Sequence, residues 1–142
     1  MGGRSVRITA DTNILVRTVV EDDAAQAAAA RALMLRATRI AVPVPVFCEL
    51  ACVLKSVYGR DANDVVAAIE AIAEIDTVAT DVPAVEAGLG ALRAGGDFAD
   101  GVIAHQGEAL GGTVFASFDR RAVARLRDAG TAAAYPSDLT AT

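Results

Sequence analysis

Five acidic residues stand where a carboxylate is costly or unneeded unless it does chemistry. Asp11 follows the β-branched run in VRITADTNILVR and is joined by Thr12 and Asn13 before apolar residues resume. A helix cap accounts for Thr12 or Asn13 but leaves Asp11 unexplained. Glu49 lies in VPVFCELACVL, an otherwise apolar segment. An ionised carboxylate there must reach solvent, a cation or a metal. Asp97 and Asp100 open GGDFADGVIAHQ, and Asp119 follows Ser117-Phe118. Asp97 reads as a helix N-cap, with Asp100 three residues on in the first turn. Were Asp11, Glu49, Asp100 and Asp119 to converge, their charge would need compensation. Two carboxylates ~5 Å apart at an effective dielectric of ~20 repel by roughly 3 kcal/mol. Four together take up protons or bind a cation. Oxygen-only ligands suit Mg²⁺ or Mn²⁺ rather than zinc. Such an ion can activate water, orient a phosphate and stabilise charge on a leaving oxygen.

The elements that would position these acids can be read from hydrophobic periodicity. Four short apolar runs, 6–10, 40–42, 77–80 and 113–116, predict strands, with a weaker fifth at 131–135. Helical spacing covers 23–37, 43–58, 61–75, 83–94, 98–110 and 119–128. Gly59, Gly95-Gly96, Gly111-Gly112 and Gly130 stand at or just past helix ends, as C-terminal caps require. Strands alternating with helices predict an α/β layer sandwich with a mostly parallel sheet. In such sheets the chemistry lies at the carboxyl ends of the strands. Asp11 and Asp119 both fall there.

The 142 residues read as one domain, 1–142, with 1–5 expected to form a partly disordered leader. The chain is 54% hydrophobic with a mean hydropathy of +0.40, more than a small soluble domain needs, which points to a subunit or partner interface. No apolar run reaches the roughly 18–20 residues of a membrane span, and MGGRSVR has no signal-peptide core. The expected location is therefore the cytoplasm, with no membrane partner. The net charge is −5, so a nucleic-acid role needs local positive charge or bound cations. Cys48 and Cys52 lie four apart and, with a single histidine in the chain, cannot complete a zinc set; they read as buried structural thiols.

DTNIL at 11–15, Glu49 in FCEL, DFADGVIA at 97–104 and SFD at 117–119 resemble the acidic motifs of PIN domains. More narrowly they resemble VapC-type ribonuclease toxins of bacterial VapBC toxin–antitoxin modules, over nearly the whole chain. The resemblance implies a PIN-like three-layer α/β/α sandwich with a mostly parallel central sheet of about five strands. It implies an endoribonuclease acting on single-stranded or looped RNA with Mg²⁺, for which Mn²⁺ can substitute, as part of a type II toxin–antitoxin system. A homodimer and a cognate VapB-type antitoxin that blocks the site are implied too. The family's four acids fall on Asp11, Glu49, Asp100 and Asp119, with Asp97 a frequent extra acid in this motif variant. Asn13 and Ser117 match the polar supporting positions. On this reading Asp11 and Asp100 hold a metal, Glu49 and Asp119 complete the shell or place a second ion, and metal-activated water cuts the phosphodiester to a 5′-phosphate and a 3′-hydroxyl. Gly101 departs from the family's usual alanine, which loosens that helical turn by up to ~1 kcal/mol.

Other readings carry less. Arg120 and Arg121 are candidate phosphate contacts, against the plain alternative of a solvated helical turn. His105 reads as a surface helix residue, and Asp22 and Asp23 as a helix start. The glycines of GLGALRAGG depart from G-x-G-x-x-G and sit within a helical pattern. A haloacid-dehalogenase-type phosphatase would need an aspartate where Asn13 stands and a lysine after Ser117, whereas the sole lysine is Lys55. A non-catalytic binding module would be expected to have lost one of the four acids. Aromatics make up only 4%, which argues against an extended base-stacking platform.

Overall fold

The computed structural model describes residues 5–141. Positions 1–4 of the expected leader lie outside the described residues, while Ser5 shares a hydrogen bond of 2.8 Å with the Thr38 hydroxyl. The chain divides into two compact units, the first ending at Asp81 and the second beginning at Val82.

In the first unit the order is β1 (Arg7–Thr9), α1 (Thr12–Val19), α2 (Ala24–Arg36), β2 (Arg39–Ala41), α3 (Val44–Ser56), α4 (Ala62–Ala73) and β3 (Val78–Ala79). The three strands form a parallel sheet in the order β1-β2-β3, with Ile8 opposite Ile40 and Ile40 opposite Val78. α1 packs on α2 and α3, and α3 on α4. The spacing of α3 puts Phe47, Leu50, Ala51 and Leu54 on one buried face, while Val65, Ile69 and Ile72 do the same for α4. Asp23 and Asp61 start α2 and α4 by accepting the N–H groups of Gln26 and Asp64. Asp22 accepts from Tyr58 and pairs with Arg17, and these two bonds hold its carboxyl below the usual carboxylate range. Its partner's phenol is correspondingly pushed up. Asp23 thus starts a helix, as expected, whereas Asp22 lies one residue before that cap and is held by Arg17 and Tyr58 instead.

The second unit runs α5 (Val82–Arg93), α6 (Phe98–Ala109), β4 (Phe115–Ala116), α7 (Arg120–Asp128), β5 (Ala133–Ala134) and α8 (Pro136–Thr140). β4 and β5 pair in parallel. The glycines of GLGALRAGG at 88 and 90 lie within α5, so no phosphate cradle forms there. α5 and α6 approach closely because neither contact carries a side chain. A Cβ on Gly88 would lie 2.5 Å from the Phe98 ring. A Cβ on Gly101 would lie 2.8 Å from the Ala91 methyl and closer still to the Ala87 carbonyl oxygen. The expectation that Gly101 merely loosens its turn is thus corrected: it is what admits α6 to the face of α5.

Five strands are present and all pairings are parallel, as expected, but among the described residues they fall into sheets of three and two rather than one sheet of five. β3, β4 and β5 are two residues each, and the Gly- and Ala-rich stretches around β4 and β5 are weak strand formers. The reading of Cys48 and Cys52 as buried is also corrected. The core face of α3 is taken by its larger apolar residues, leaving Cys48 half-buried and Cys52 exposed. Among the described residues no helix is long and apolar enough to cross a membrane.

Candidate active site

In the first unit, Asp11 stands one residue past β1 and is itself the N-cap of α1. Its Oδ1 accepts the Thr12 N–H at 2.7 Å. Capping therefore belongs to Asp11, not to Thr12 or Asn13 as the sequence suggested, and it engages one of the two carboxylate oxygens. Thr12 has a different task. It is 7% exposed, the one buried polar residue among those described, and its hydroxyl donates to Glu49 Oε2 at 2.8 Å. Glu49 is itself exposed, because it lies off the buried face of α3. Its carboxylate thus reaches solvent and a hydroxyl donor, which resolves the cost of an acid in an apolar segment. Asn13, expected as the supporting residue, is exposed. Thr12 was the missed residue, and only its position between a strand and an apolar run hinted at burial.

In the second unit, Asp97 is the N-cap of α6, although its side chain makes no capping bond, and Asp100 lies in the first turn. Asp100 is half-buried. Burial pushes its carboxyl above the ordinary value, and the Asp97 and Asp119 carboxylates push it further. These three acids therefore share one electrostatic environment. Asp119 is the N-cap of α7, and its Oδ1 accepts from the N–H groups of Arg121 and Ala122 at 3.0 and 3.1 Å. Ser117 Oγ accepts the Asp119 N–H at 3.0 Å, the supporting part expected of it. Arg120 and Arg121 are both exposed, and the Arg120 guanidinium lies 4.0 Å from the centre of the Tyr135 ring. His105 is half-buried along α6.

Asp11 and Asp119 are built alike: each follows a strand, begins a helix, and spends Oδ1 on backbone N–H groups. The carboxylate oxygens that act on Asp100 are donors of the type that suits a hard divalent cation. Among the described residues no group of three or more His, Cys, Asp or Glu side chains is set to hold a metal ion.

Parallel strands followed by helices, with Asp11 and Asp119 just past strand ends, define an α/β protein. The PIN domain model matches residues 8–128, and the chain belongs to that family. PIN domains are generally metal-dependent nucleases that act on RNA or other nucleic acid. No curated protein and no solved structure matches this chain.

Proposed function

We propose that the protein is a Mg²⁺-dependent endoribonuclease, with Mn²⁺ able to substitute, and the toxin of a type II toxin–antitoxin pair. The observation that carries this reading is that Asp11, Glu49, Asp100 and Asp119 all fall within the matched 8–128 span, in an order and spacing that resemble the family's acidic motifs. By resemblance to the family, Asp11 and Asp100 are the assigned ligands of the ion, Glu49 and Asp119 the further acids of the motif, and Asp97 an additional candidate. When bound, the ion supplies an activated water and neutralises charge on the phosphate and the leaving oxygen. The chain's own residues do the positioning. Thr12 fixes Glu49, the α1 and α7 caps fix Asp11 and Asp119, and Ser117 holds the turn before Asp119. Arg120 and Arg121 supply the local positive charge that a chain of net charge −5 needs in order to approach phosphates. A cognate VapB-type antitoxin, a homodimer and a cytoplasmic site of action belong to the same reading, supported by the motif spacing.

The test is incubation of purified, antitoxin-free protein with total RNA in Mg²⁺, in Mn²⁺ and in EDTA. Cutting is expected with either metal and absent with EDTA. Metal-independent cutting, or cutting that survives Asp11→Asn, would defeat the proposal. Growth arrest on expression, relieved by co-expressing the small protein encoded next to the gene, would test the toxin role.

A further inference from the structure

Phe118 is the one exposed aromatic residue among those described, at 76% exposure, and it immediately precedes Asp119. Its orientation is set. The ring meets Tyr135 edge to face, with centroids 5.6 Å apart and planes at 86°. The Tyr135 ring in turn lies under the Arg120 guanidinium. A ring and a cation, both against Tyr135, thereby flank Asp119 in sequence, in a turn held by the Ser117 and Asp119 hydrogen bonds.

The surroundings of Phe118 favour one class of occupant. The residues following Phe118 are Asp119, Arg120 and Arg121, so the exposed ring is bordered by charge and not by further apolar side chains. The helix RRAVARLRD carries four arginines against one aspartate in a chain of net charge −5. Arg125 is paired with Asp128, and Arg127 donates to the Ala133 carbonyl. Arg120 and Arg121 stand at the helix start, nearest Phe118. A flat apolar face beside guanidinium groups complements a nucleotide, with its base on the ring and its phosphate by the arginines.

We propose that Phe118 is a stacking seat for one unpaired nucleobase of the RNA strand that Asp119 helps to cut, with Tyr135 orienting the ring and Arg120 meeting an adjoining phosphate. The seat deepens the ribonuclease reading and rests on it. It requires an unpaired base, because a base within a duplex offers no free face.

Full-length protein is titrated by fluorescence anisotropy, in EDTA to prevent cutting, with short labelled oligouridylate and oligoadenylate and with an abasic ribose-phosphate strand of equal length. Base-bearing strands are expected to bind more tightly than the abasic one. Phe118→Ala should weaken base-bearing strands roughly tenfold and leave the abasic strand unchanged, with Phe118→Trp retaining the wild-type pattern. A matching circular-dichroism melt would show that the alanine variant is folded. Equal affinity for base-bearing and abasic strands, or an unchanged Phe118→Ala, overturns the seat. If the wild type still cuts RNA in Mg²⁺ then, the seat alone has failed; if it neither binds nor cuts any RNA, the ribonuclease reading falls with it.

Discussion

The hydroxyl of Thr12 ties the first turn of α1 to the middle of α3 by donating to Glu49 Oε2 across 2.8 Å. The backbone N–H of the same residue goes to Asp11, so one buried threonine engages two of the four motif acids. Thr12→Val keeps the shape and removes the donor. It should cost about 0.5–1.5 kcal/mol of stability and reduce RNA cleavage, whereas Thr12→Ser should retain most of both. Urea titration and initial cleavage rates check this. Full activity in the valine variant would show that Glu49 needs no such anchor.

Asp11 and Asp119 each begin a helix while lying at a strand end. Asparagine caps as well as aspartate, so Asp11→Asn and Asp119→Asn should melt within a degree or two of the wild type, yet lose cleavage. The alanine variants should lose about 1 kcal/mol of stability as well. Paired thermal melts and cleavage assays separate the two effects. An asparagine variant that still cuts would remove that residue from the chemistry.

Asp97 and Asp100 compete for the third acid position. Asp100 has its pKa raised on folding by burial and by Asp97 and Asp119, so its ionisation opposes folding at neutral pH and ceases to do so below its unfolded pKa. In the absence of metal, Asp100→Asn should therefore raise the melting temperature at pH 7 and not at pH 3. Mg²⁺ should raise the wild-type melting temperature and leave Asp100→Asn unmoved, because a ligand that binds only the folded state stabilises it. Cleavage should vanish in Asp100→Asn and persist in Asp97→Asn. The reverse pattern would exchange the two roles.

Gly101→Ala tests the close approach of α5 and α6. The added methyl would collide with the Ala87 carbonyl oxygen, and overpacking of this kind typically costs about 1–3 kcal/mol. Intrinsic helix propensity alone would make the same change stabilising by up to ~1 kcal/mol, so the sign of the measured change decides which effect rules. A shift of the urea midpoint reads it directly.

Periodicity exposed most of the elements because alternation and helical spacing are local properties. The six helices with predicted ranges all formed, within a few residues of their expected ends, and Gly59, Gly95, Gly111 and Gly130 all adopt the positive φ of helix stops. Four of the five strands came out shorter and β2 kept its three residues shifted by one, since pairing length depends on neighbours that the sequence does not name. α8 had no predicted counterpart; five residues are too few to show a period. Asp11, Glu49, Asp100 and Asp119 were legible as acids in unexpected places. Thr12 was not, because a threonine beside an aspartate looks like a cap until the fold buries it. Gly101 was misread because its reason lies on another helix, at Ala87 and Ala91.

Those glycine contacts reach further than packing. α6 carries Asp97 and Asp100 at its start and Gly101 directly after them, so the distance between α5 and α6 is also the setting of two carboxylates. A methyl group added at 88 or 101 moves the acids without touching either. Residues bearing no functional group thereby act as the adjusting screw of a charged centre. A mutational scan that reads lost activity as lost chemistry would credit these two positions with a reactivity they do not possess.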